Sequence, residues 1–239
     1  MVAFQQAVDL GVDAVEVDVR LSKDGVLVLM HSERVDYTTD GSGLIEDMSL
    51  SEIKKLDAGY QWSADEGKTF PFRGQNISVP TLEEAFQAFP GTRFVLDVKW
   101  TETRQEGPLC DLIREYSMTD KVVLATVYGD VMRRFREVCP EIASSAAFGE
   151  VAAFVFARNT PIDAWVASRY ESLQGPYDPF GHYDALFLTA DYVEDAHSRN
   201  VRVEPWVNDA EQMQRYIDLG VDGLITDYPD ILLELLGRE

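Results

Sequence analysis

Glu16 and Asp18 stand two positions apart among valines, in the run Val15-Glu16-Val17-Asp18-Val19, and His31 closes the apolar run that follows. Carboxylate oxygens are the ligands a hard divalent cation prefers. An imidazole titrates near neutral pH and can pass a proton to or from a reacting group. In an extended chain side chains alternate, so Glu16 and Asp18 point the same way. Asp24-Gly25 is a two-residue hairpin signal, because Asp and Gly tolerate the positive φ of a primed turn. A turn centred on that dipeptide pairs Ser22 with Leu27 and Asp18 with His31. Directly opposed residues lie about 5 Å apart on one face. The spacing therefore predicts two carboxylates and an imidazole converging on a metal and acid/base site.

Charged residues are mostly exposed, and an E-x-D pair can equally be the solvated face of an amphipathic strand. Three features favour the site. The strand belongs to a βα pattern of the kind that covers both strand faces. A histidine is in register with the acids. The hairpin interrupts plain strand–helix alternation, and insertions at strand ends are where function collects.

The elements that must position these residues follow from periodicity. Ala3–Leu10 has helical spacing of apolar residues, with Gly11 as its C-cap. Residues 22–80 form a hairpin and loop excursion, containing a short helix begun by Ser49 with Glu52 as its capping-box partner. Thr81 and Glu84 make a second capping box. Strands are expected near residues 15, 95, 124, 145, 164, 204 and 224, separated by helices near 104–117, 130–138, 150–157, 190–198 and 210–219. Tyr170–Tyr183 reads as a loop. Regular βα alternation implies parallel strands and right-handed crossovers. The expected architecture is a single α/β domain over residues 1–239, a TIM (β/α)8-type barrel with its first strand missing and a small excursion after the E-x-D strand.

The formal charge of −21 argues against nucleic acid or an anionic membrane as a partner. It does not argue against a phosphorylated substrate, because a bound divalent cation reverses the local field. No run approaches the roughly 20 apolar residues of a membrane span, and no signal-peptide pattern is visible, so no stable membrane insertion and a cytoplasmic location are expected. Cys110 and Cys139 show no metal or redox spacing and read as buried thiols.

Several motifs in order resemble the glycerophosphodiester phosphodiesterases. They are E-x-D; Ser22-Lys23-Asp24-Gly25; the apolar strand ending in His31; Thr38-Thr39-Asp40-Gly41-Ser42-Gly43; Pro80-Thr81-Leu82-Glu83-Glu84; Leu96-Asp97-Val98-Lys99; Glu204-Pro205-Trp206-Val207-Asn208; and Gly220 through Pro229, similar to the family's G-V-D-G-I-I-T-D-x-P ending. The resemblance implies a TIM barrel and metal-dependent hydrolysis of a small-molecule glycerophosphodiester to glycerol 3-phosphate and an alcohol. It implies Glu16, Asp18 and Asp97 as ligands of a divalent cation, Mg²⁺ or Ca²⁺. Asp97 stands where the family usually has Glu. Lys99 and Trp206 would bind substrate, and His31 would be one of two acid/base histidines.

The chain departs from the family pattern in places. It opens inside what resembles the helix after the family's His-Arg-Gly strand, which carries the other histidine and a phosphate-holding arginine. Residues 1–239 alone are therefore expected to be poorly soluble or inactive, with activity in a longer chain. Arg73-Gly74 lies in a later loop, Ser32 replaces an acid after His31, and Tyr37 replaces an arginine. His197 and His182 read as structural or exposed, and Asp222 and Asp227 as turn formers. Two other readings stand beside the hydrolase: a degenerate barrel that binds metal or phosphate without turnover, and a related lyase that releases a cyclic phosphate.

Overall fold

The computed structural model describes residues 1–100, 103–157, 169–175 and 188–238. They fall into two units, Met1–Gln6 with Asp13–Val122, and Ala7–Val12 with Val123–Glu239.

Helix α1, Val2–Leu10, ends at Gly11, whose amide donates to the Val8 carbonyl at 3.0 Å. Strand β1 follows at Ala14–Leu21, with Val15, Val17, Val19 and Leu21 buried and Glu16, Asp18 and Arg20 half-buried between them. The period of two that a strand imposes is thus written in full: β-branched residues on one face, charge on the other. Strand β2, Leu27–Leu29, returns antiparallel.

The hairpin register differs from the sequence expectation by one residue. Val19 pairs with Leu29 and Leu21 with Leu27, so neither Ser22–Leu27 nor Asp18–His31 is a pair. The turn is the reason. Ser22 and Val26 close a three-residue loop, with the Ser22 amide donating to the Val26 carbonyl at 2.9 Å. Gly25 takes φ +81°, the left-handed position that ends such loops. Ser22 Oγ accepts from the Val26 amide and donates to Asp24. Asp24 in turn accepts from the Leu50 amide at 2.9 Å, tying the turn to α2, Leu50–Ile53.

The excursion has an apolar centre of its own: Val28, Met30, Val35, Ile45, Ile53 and Val79. Both capping boxes form, Ser49 with Glu52 and Thr81 with Glu84. The second starts α3, Leu82–Ala88. Strand β3, Arg93–Val98, then runs parallel to β1, with Phe94, Leu96 and Val98 buried. Helix α4 spans Glu106–Glu115.

The remainder alternates as expected: β4 Val122–Ala125, α5 Gly129–Val138, β5 Ala143–Ser144, α6 Phe148–Ala157, β6 Ser172–Leu173, α7 Ala190–Ser198, β7 Arg202–Val203, α8 Ala210–Asp218 and α9 Pro229–Leu235. β4 pairs with β5 and β6 with β7, both parallel. Parallel bridges join Ser145 to Ser172 and Trp206 to Ile225. From β4 onward, each of these described parallel positions therefore meets the next in chain order, as βα units require. Phe154, Leu173, Tyr192, Val203, Met213 and Tyr216 lie in the core of this second unit.

Four expectations need restating. The stretch read as a loop from Tyr170 contains β6, whose two residues are too few to show a period. The last expected strand, near residue 224, is reduced to the Ile225 bridge. The expected strand at Ile162–Ala167 lies outside the described residues. Cys110 and Cys139 are buried but are disulfide-bonded rather than thiols. A disulfide needs Cα atoms about 4.4–6.8 Å apart, and sequence spacing carries no information on that distance. No helix among the described residues is long and apolar enough to cross a membrane.

Gly25 meets no neighbouring atom where a Cβ would sit, so only its backbone conformation excludes other residues. Gly25→Val should lower unfolding stability by about 1–2 kcal/mol through the left-handed penalty alone. Urea denaturation measures it; an unchanged midpoint would show that the turn relaxes to another type.

Candidate functional site

The parallel register of β1 and β3 builds the site. Asp18 is the Cα partner of Asp97, and Glu16 of Val95. Alternation puts Glu16, Asp18 and Asp97 on one face, and one carboxylate oxygen from each lies within 4.8 Å of the others. A single hard cation takes oxygen ligands at about 2.0–2.6 Å and so spans oxygens roughly 4–5 Å apart. The donor set fits Mg²⁺ or Ca²⁺ in both chemistry and spacing.

Lys99 lies just beyond β3. Its amide donates to the Val19 carbonyl at 3.1 Å, continuing the ladder by one step. Its Nζ donates to Asp18 Oδ1 at 2.7 Å and to Asp97 Oδ2 at 2.6 Å. Asp97 and Lys99 thus form a salt bridge, with Asp18 as a further partner. Gln105, buried at the start of α4, donates from Nε2 to the Lys99 carbonyl at 2.6 Å.

All three of these side chains are less than a third exposed: Lys99 21%, Asp18 18% and Asp97 28%. Burial raises the Asp97 pKa, and Asp18 adds to the rise, together outweighing Lys99 and His31, which lower it. For Lys99 burial opposes the charge, but Asp97 and Asp18 more than compensate, and its pKa is raised. With all four groups charged, three carboxylates and one ammonium leave two negative charges, matching one divalent cation.

His31 is exposed and follows the end of β2. The Met30 amide donates to the Asp18 carbonyl at 3.0 Å, so Met30, not His31, stands opposite Asp18. A positive charge on His31 acts through space to lower the Asp97 pKa. Arg20 holds the backbone there. Its Nε donates to the carbonyls of Met30 and His31 at 3.2 and 3.1 Å, and its Nη2 to His31 at 2.7 Å.

The structure therefore brings Glu16, Asp18, Asp97 and Lys99 together, and Arg20 of the same strand holds the His31 backbone. Trp206 belongs to the second unit, where it is half-buried and bridges Ile225. His197 Nε2 lies 2.8 Å from Asp222 Oδ2, which also accepts from the Val203 amide. Asp227 accepts from Asn208 Nδ2 at 2.7 Å. These contacts give His197, Asp222 and Asp227 structural partners. Arg73 stacks over the rings of Tyr60 and Phe70 in its loop. His182 lies outside the described residues. Sequence reasoning passed over Arg20 and Gln105. Arg20 was findable, because the alternation that pairs Glu16 with Asp18 extends to it. Gln105 had no local signal.

The sequence matches the glycerophosphoryl diester phosphodiesterase family over residues 1–231. A glycerophosphodiester phosphodiesterase of Caldanaerobacter subterraneus is 31% identical over 243 residues, covering 99% of this chain and 90% of the relative. Human lysophospholipase D GDPD1 is 26% identical, over 99% of this chain and 81% of that protein. Among solved structures, a glycerophosphoryl diester phosphodiesterase domain from Mycobacterium tuberculosis superposes with a TM-score of 0.81 at 17% identity, covering 100% of this chain and 92% of that one. An Oleispira antarctica phosphodiesterase, solved with the product sn-glycerol-3-phosphate, has a TM-score of 0.71 at 22% identity over 98% and 90%. The structural likeness places the fold in the TIM-barrel class, as the alternation predicts.

Lys99→Met should destabilise the cation-free protein by on the order of 2 kcal/mol, because two facing carboxylates lose their counter-charge. Urea denaturation in EDTA measures this, and added Ca²⁺ should recover part of the loss. The Lys99 contribution should be complete below its unfolded pKa of 10.5 and lost as pH rises through the higher folded value. Equal midpoints for variant and parent would show that the acids do not need the ammonium.

Proposed function

The chain belongs to the glycerophosphoryl diester phosphodiesterase family, and on that premise we propose that it hydrolyses glycerophosphodiesters to glycerol 3-phosphate and an alcohol with the aid of a divalent cation. The observation that carries the reading is the convergence of Glu16, Asp18 and Asp97 on one face, with Lys99 bonded to two of them. The solved relative with bound sn-glycerol-3-phosphate supports the product. The family match across residues 1–231 supports a single domain.

Glu16, Asp18 and Asp97 hold the cation in this reading. Bound among their oxygens, Mg²⁺ or Ca²⁺ supplies Lewis-acid polarisation of the phosphoryl oxygens and offsets charge in the transition state. Lys99 shifts its ammonium from Asp18 and Asp97 towards the same oxygens, as a point charge on a flexible stem. His31 gives its proton to the leaving alkoxide as the P–O bond to the alcohol breaks. The water that attacks phosphorus leaves its oxygen there and releases a proton to the solvent, from which His31 is reprotonated. Trp206, in the second unit, is the residue that the family resemblance assigns to substrate binding.

Glu16→Gln and Asp18→Asn should each abolish the rise in melting temperature that millimolar Mg²⁺ or Ca²⁺ gives the parent protein. A retained rise would remove these residues from the cation site. Incubation with glycerophosphocholine, followed by ³¹P NMR, should show glycerol 3-phosphate. Accumulation of a cyclic phosphate would make the protein a lyase, and cation affinity without any product would make it a binding protein. His31→Gln should reduce kcat by about 10²–10⁴-fold.

A further inference from the structure

Strand pairing alone would send His31 the wrong way. In the observed register Val19 faces Leu29, and the backbone bond from Met30 to Asp18 follows it. One more antiparallel step would set His31 opposite Val17, a buried residue on the face away from Glu16 and Asp18. Opposed residues share a face, so a continued strand would turn the imidazole from the acids. The chain instead leaves the ladder after Met30. The carbonyls of Met30 and His31 then have no strand partner, and a side chain from β1 takes both.

We propose that Arg20 is the positioning residue for His31: its guanidinium, bonded from Nε and Nη2 to the carbonyls of Met30 and His31, fixes the backbone where the chain leaves the ladder and so sets the point from which the imidazole extends. The inference rests on the reading of His31 as the proton donor. Three points carry it. Arg20 alternates on β1 with Glu16 and Asp18, so one strand carries two acids and the clamp on the histidine backbone. The clamp is a fork: two nitrogens reach the single His31 oxygen at 3.1 and 2.7 Å, which fixes direction as well as distance. A planar guanidinium can do this, whereas a lysine ammonium is a single point on a flexible stem. The other edge of β2 is pinned independently, by the Leu29 amide donating to the Pro80 carbonyl at 2.9 Å and by the bridge from Val28 to Thr81. Loss of Arg20 should therefore free Met30 and His31 while β2 stays in place.

The test compares the full chain with Arg20→Ala, Arg20→Lys, His31→Gln and the Arg20→Ala/His31→Gln double variant, using glycerophosphocholine and Ca²⁺ or Mg²⁺. Misplacing a reacting group by about 1 Å costs roughly 10²-fold in rate, so Arg20→Ala should lower kcat by about 10–100-fold. KM and the cation-induced rise in melting temperature should hold within about twofold and a degree respectively. Arg20→Lys should recover only part of the rate. In the His31→Gln background the Arg20 change should have no further effect. The chain has only three histidines, so the imidazole resonances can be assigned by the His31→Gln spectrum. The His31 signal should shift or broaden in Arg20→Ala while the others stay. That second readout decides the matter even where no variant turns over: an unmoved His31 signal overturns the proposal. A parental kcat in Arg20→Ala, or a loss undiminished in the double variant, overturns it too. A His31→Gln protein with parental turnover removes the proton-donor reading itself, and that result is read from a different variant.

Discussion

One register holds the site together. Asp18 lies directly across from Asp97 in the parallel pairing of β1 and β3. Two carboxylates set side by side in a half-buried place repel, and that arrangement persists only with positive charge between them. Lys99 supplies it, and the ladder bond from its amide to Val19 delivers the ammonium to the right height. Slide β3 by one residue and Asp97 turns to the opposite face, Lys99 follows, and the acids lose both partner and cation site. The buried row on each strand guards against that slide, because Val17, Val19, Leu96 and Val98 would turn out of the core at the same time.

The charges left over define the chemistry. One ammonium among three carboxylates does not neutralise them, and the remaining charge equals that of one divalent cation. An acidic face so charged suits a divalent cation, and the Lys99 ammonium between Asp18 and Asp97 offsets part of its charge. The raised pKa of Asp97 carries the same message: burial makes its charge expensive until something positive sits beside it.

The excursion after β1 is tied back to the site at two levels. Its apolar centre, with Ile45, Ile53 and Val79, includes Val28 and Met30, the residues on either side of Leu29. Its polar ties run through Asp24 to the α2 amide of Leu50 and through Arg20 to His31. The excursion therefore acts as the mount of the histidine, and its folding and the site's geometry are one problem.

Much of this was legible in the residues. The E-x-D pair, the D-x-K pair, the capping boxes at Ser49 and Thr81 and the βα alternation are local patterns with local causes, so the acidic face and the fold class followed from spacing. The family's motifs, met in order along the chain, pointed to its chemistry. The position of His31 was not legible. The dipeptide Asp24-Gly25 announces a turn but does not say whether two or three residues form it, and that single residue decides which face every later side chain takes. The three-residue loop moved His31 out of register, and Arg20, from the strand opposite, holds its carbonyl where the chain leaves the ladder. The strand at Ser172, paired with Arg202 and bridged to Ser145, was likewise decided by distances between segments far apart in the chain. Periodicity reports what one segment presents to its surroundings; only the packed structure decides what it meets there.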